Sequence, residues 1–120
     1  MPHAADHRRL LRRARPGFDR PGFARALHEE VVRTAAAKPE ACKTQFRRGE
    51  DTTVGADGEG HAIVHVTLGL LAGRSDETKA RLTEAALELL RQYVKPDGGL
   101  ALHASAEVRD LDPSYRKFDA

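Results

Sequence analysis

The chain has no tryptophan, one methionine and one cysteine, and only 5% of its 120 residues are aromatic. A lone cysteine, Cys42, excludes an intramolecular disulfide and any cysteine-based zinc cluster, and it fits a reducing, cytoplasmic setting. So few aromatics predict an aliphatic core. No apolar run approaches the roughly 18 residues of a membrane span, and the first residues lack the apolar centre of a signal peptide, so neither a membrane partner nor secretion is expected. Net charge is also small, +2, and unevenly placed: residues 1–20 carry six Arg against Asp6 and Asp19, contributing +4, and the other hundred contribute −2. The basicity is local and says little about the body of the protein. A chain of this length predicts one domain, 1–120, with an atypical basic segment over 1–18. A monomer of this size buries only roughly 60 to 70% of its unfolded surface, which makes association with further copies a natural source of stability.

What is present centres on His61 to Val94. From Ala62, every second residue (Ala62, Val64, Val66, Leu68, Leu70) is apolar, and the other face carries Ile63, His65, Thr67, Gly69 and Leu71. This predicts a strand with one face fully buried and the other mostly so. Gly73 permits a turn, Ser75 caps a helix start, and Asp76 and Glu77 set negative charge against the unpaired first-turn amides. In the helix that follows, Leu82, Ala85, Ala86, Leu89 and Tyr93 form a stripe, widened by Leu87, Leu90 and Val94 beyond what one sheet covers. After the breaker Pro96-Asp97-Gly98-Gly99, Leu100 to Leu111 reads as a second strand. The unit is βαβ, with parallel strands and a right-handed crossover.

The runs HAIVHVTLGLLAGRS and LALHASAEVRDLDPSYRK, on either side of that helix, resemble the C-terminal half of the 5-carboxymethyl-2-hydroxymuconate delta-isomerase family, within the tautomerase superfamily. Met1-Pro2-His3 resembles the start of that family, and the likeness is specific from about Ala56 to Lys117. The resemblance implies an α/β fold in which two consecutive βαβ units form one small sheet covered by two helices. It implies a homotrimer, for which Leu70, Leu71, Leu87, Leu90 and Val94 supply an apolar motive. It further implies keto–enol tautomerisation of a hydroxymuconate-type unsaturated carboxylic acid in aromatic catabolism, with the proline as general base and no cofactor.

Elsewhere the chain is less regular. Ala4 to Arg15 stands where the family has an alternating strand but holds Arg8, Arg9, Arg12, Arg13 and Arg15. Three readings stay open: a solvated basic arm, an Arg-rich arm binding phosphate or nucleic acid, and a shifted reading frame. In the last, codons of the form GCN GAC CAY CGN for Ala5-Asp6-His7-Arg8, read one base later, can encode Leu-Thr-Ile followed by Asp or Glu, the strand the family would place here. From Asp19 to about Lys38 a helix is predicted, with Asp19 as cap, Pro21 in the first turn and Phe23, Leu27, Val31 and Ala35 four apart on one face. His28 beside it reads as a boundary residue. Ala41 to Val54 reads as an irregular polar strand, and Gly55 to Gly60 as the turn into the central one.

The chemistry needs a base for a hydroxyl proton, an acid to return a proton to carbon, and cations for carboxylates. Once Met1 is removed, the free amine of Pro2 has a reference pKa of about 8 and is partly neutral near pH 7, so it can do both. Arg74, Lys43 and Arg47 are the candidate substrate-binding residues, with Arg48 beside them. Arg74, in Ala72-Gly73-Arg74-Ser75, matches the family's motif, and its guanidinium can hold a carboxylate through two parallel hydrogen bonds. Lys43 matches in charge but not in forked geometry. No metal is expected, since His61 and His65 lie about 13 Å apart along one strand. The alternative function is a non-catalytic oligomeric relative or, more remotely, a nucleic-acid-binding protein acting through the basic arm.

Overall fold

A computed structural model describes residues 17–120. Met1 to Pro16, and with them Pro2 and the basic arm, lie outside the described residues. The rest is a small α/β arrangement of two helices and two small sheets. Strand β1 (Gly17–Phe18) leads into helix α1 (Arg20–Ala35). A 3-10 turn (Pro39–Ala41) and a long irregular segment follow, then strand β2 (His61–Leu70), helix α2 (Asp76–Tyr93) and strands β3 (Val94–Lys95) and β4 (Ala101–Asp110).

Both helices start on the predicted caps. Asp19 accepts a hydrogen bond from the Gly22 amide at 3.1 Å, and Ser75 Oγ accepts one from the Thr78 amide at 3.1 Å. Each satisfies a donor that the first helical turn leaves unpaired. Helix α1 stops at Ala35, three residues before the expected end, because Ala36 turns left-handed at φ 56°.

β2 and β4 run parallel in register from His61 opposite Ala101 to Leu70 opposite Asp110, around α2 as the crossover. This is the predicted βαβ unit. Phe23, Leu27, Val31 and Ala35 of α1 meet Leu82, Ala86 and Leu90 of α2 and Leu68 of β2 in one core, every member buried. The core is aliphatic except at one end, where Phe23 contacts Phe18, Phe46 and Tyr93 edge-on.

Three expectations are corrected. The segment from Ala41 to Val54 is no strand: after the 3-10 turn it stays irregular, and only Val54 pairs, with Asp57. Between Cys42 and Val54 the one large apolar side chain is Phe46, so a ladder there has no apolar face to bury. Among the described residues the strands form two small sheets, β1 with β3 and β2 with β4, while the segment that would supply the first strand of the expected single sheet lies outside them. Among the described residues the second face of β2 is left open, with Ile63 53% and Leu71 60% exposed. Leu90 and Val94, assigned to a surplus apolar stripe, are 0% and 2% exposed inside the chain's own core, because α2 packs against α1 and β4 together.

Candidate functional site

A cleft of about 1790 Å³ runs between α1, β2, the irregular segment 42–52 and the C-terminal tail. It exceeds the roughly 300–1,000 Å³ usual for a small-ligand pocket, so the described residues form an open trough. Its walls carry seven Lys or Arg against Glu50 and Asp51. Lys43, Arg47 and Arg74, singled out in the sequence, all line it.

Segment 42–52 is held at two points, one on α1 and one on β1. His28 and Thr44 Oγ1 share a hydrogen bond of 2.6 Å, and the Phe46 ring packs edge-on to Phe18, centroids 5.6 Å apart. These anchors place Arg47 and Arg48 on the trough wall, where neither has an ion-pair partner among the described residues. The strand reading of this stretch gave Phe46 no role, although its being the sole large apolar residue there is the signal that marks it as an anchor. The His28–Thr44 contact was not, since nothing local fixes how the segment returns to the helix.

Lys43 Nζ lies 3.5 Å from Asp119 Oδ1, and Lys117 Nζ lies 2.6 Å from Asp119 Oδ2. Asp119 is held below the ordinary carboxylate range, first by its hydrogen bond from Lys117 and then by the charges of Lys117 and Lys43. The C-terminal tail thus folds back on its own chain and brings Tyr115 and Lys117 to the trough.

Arg74 stands between β2 and α2. Its Nε and Nη2 donate to the Ala35 carbonyl at 3.3 and 3.1 Å, and its Nη1 donates to the Leu71 carbonyl at 3.0 Å. Ala35 ends α1, where unpaired carbonyls and the negative end of the helix dipole favour a cation. One fork of the guanidinium therefore grips backbone, while the charge still borders the trough.

On the open face of the β2–β4 sheet, His65 bridges strands: Nδ1 to Ser105 Oγ at 2.7 Å and Nε2 to Glu107 Oε2 at 2.8 Å. Arg109 donates to Glu107 from the other side. Glu107 is held below the ordinary Glu value, first by the Arg109 hydrogen bond and then by that of His65. Among the described residues no group of three metal-ligating side chains converges, and no helix is long and apolar enough to cross a membrane. No family model matches this chain, and no curated protein matches it either.

Proposed function

We propose that this chain is a tautomerase-like isomerase that ketonises an unsaturated, hydroxymuconate-type carboxylic acid bound in the cationic trough. The observation that carries the reading is the convergence of Lys43, Arg47 and Arg74 on one cleft, although the three are spread over 32 positions of sequence. Arg47 and Arg48 are the groups best disposed to take a carboxylate, with Lys43 sharing its charge with Asp119 and Arg74 setting the potential from the helix end. Pro2, freed by loss of Met1, takes the enol hydroxyl proton and returns a proton to carbon. The electron pair of the O–H bond becomes the carbonyl and the C=C pair takes the proton, so no redox partner or cofactor is needed. The setting is the reducing cytoplasm, which keeps Cys42 a thiol.

The working unit is a homotrimer. Ile63 and Leu71 stand exposed on the sheet.

The test is the ketonisation rate of a 2-hydroxymuconate-type enol, measured on protein whose mass shows Met1 removed. Pro2→Ala is expected to lose most of the rate, and Arg47→Ala to raise KM more than it lowers kcat. Full activity in Pro2→Ala would remove the proline from its role. A processed but inactive protein would leave a non-catalytic carboxylate-binding domain.

A further inference from the structure

Outside the trough, two histidines meet on the open face of the β2–β4 sheet. Ile63 lies opposite His103 in the ladder, so His61 and His103 sit diagonally on one face. His61 Nδ1 and His103 Nε2 are 2.9 Å apart, with ring centroids separated by 5.1 Å and planes tilted by 30°. The remaining ring nitrogen of His61, Nε2, faces Asp57 Oδ2 at 3.6 Å. Neither histidine lines the trough.

We propose that His61 Nδ1 and His103 Nε2 form a two-imidazole site for a late divalent transition metal, Cu²⁺ ahead of Ni²⁺ and Zn²⁺, with Asp57 orienting His61 from behind. Two nitrogens about 2.0 Å from one ion lie about 2.8 Å apart when cis in a square plane and about 3.3 Å apart in a tetrahedron. The observed 2.9 Å is the length of a shared hydrogen bond and brings both nitrogens within reach of one ion, for which the general affinity order puts Cu²⁺ first. The Asp57 carboxylate, 3.6 Å from Nε2 and so a charge contact only, favours the tautomer of His61 that carries its proton on Nε2 and leaves a lone pair on Nδ1. In the metal-free pair His103 Nε2–H donates to that lone pair. Binding moves the proton of His103 to its Nδ1, releases none, and replaces the shared hydrogen bond by two metal bonds. Turning the rings to aim both lone pairs at one ion uses the broad χ2 torsion of histidine. Water completes the coordination, so the site takes an exchangeable ion.

The test is calorimetric titration of the full chain with CuCl₂, NiCl₂ and ZnCl₂ in a His3→Ala/His7→Ala background, which removes the histidines of the basic arm. One ion per chain is expected, with affinity in the order Cu²⁺, Ni²⁺, Zn²⁺. His61→Ala and His103→Ala should each abolish binding or cut it about a hundredfold, and Asp57→Asn should cut it about tenfold, while His28→Ala leaves it unchanged. Nitrogen couplings from two imidazoles in the Cu²⁺ electron paramagnetic resonance spectrum provide a readout independent of variant folding. Absence of binding through the millimolar range, a one-imidazole spectrum, or affinity that survives both His61→Ala and His103→Ala would overturn the site.

Discussion

Single side chains here do work that their residue type leaves ambiguous. Arg74 has the motif of a carboxylate clamp, yet it ties the end of α1 to the β2–α2 turn through Ala35 and Leu71. Hydrogen bonds from a charged group are worth about 1.5–3 kcal/mol, so Arg74→Lys, which keeps charge but loses the fork, should lower stability in urea by that order. Arg47→Ala should stay within about 0.5 kcal/mol of the parent, as a surface change does. Equal stability in Arg74→Lys and the parent would return Arg74 to a purely ligand-binding role. Glu107 offers a second measurement. Its pKa is depressed by Arg109 and then His65, so the fold favours the carboxylate. Its contribution to stability is present above the ordinary Glu value and is lost as pH falls through the lower folded value. The group is exposed and the effect small, so the readout is site-resolved: carbon NMR should place the Glu107 titration below that of an unstructured Glu. Arg109→Ala should move it upward, and no movement would refute the assignment of cause.

At the scale of elements, helices were legible and the irregular segment was not. A four-residue apolar spacing predicts what one face buries, and Phe23, Leu27, Val31 and Ala35 are all buried. Leu90, 0% exposed where α2 meets the core, should cost about 2–5 kcal/mol as Leu90→Ala in urea unfolding. The start of α1 is tighter than its sequence suggests: a Cβ on Gly22 would stand 2.3 Å from Asp19 Oδ2 and 2.8 Å from Tyr93 Cε1. Gly22→Ala therefore breaks the cap or displaces the Tyr93 ring, and a loss of about 1–3 kcal/mol is expected. A neutral result in either variant would show that the junction of α1 and α2 is softer than drawn.

At the scale of the whole molecule, the described residues leave Ile63 and Leu71 exposed beside the β2–β4 sheet. A sheet face left open among the described residues is a surface that proteins cover by packing or association. On the proposed homotrimer reading, light scattering on purified protein should report about three chains per particle at micromolar concentration. A monomer would sink the trimer and leave the trough to a single chain.

Sequence by itself determined the parts whose signals are local: both helices with their caps, the ten-residue strand from His61, the parallel partner after the Gly98-Gly99 break, and the aliphatic core. Periodicity and capping are short-range, so a single chain segment carries them whole. Only the tertiary structure decided the rest. Whether Ala41 to Val54 became a strand depended on a neighbour to accept its hydrogen bonds, and whether Arg74 held ligand or backbone depended on where α1 ended. His61 was weighed against His65, four residues along one strand, whereas its real neighbour is His103, 42 residues away. That pairing exists only because β4 returns parallel to β2 in one particular register, and register is set by how both strands bury their apolar faces on the helices.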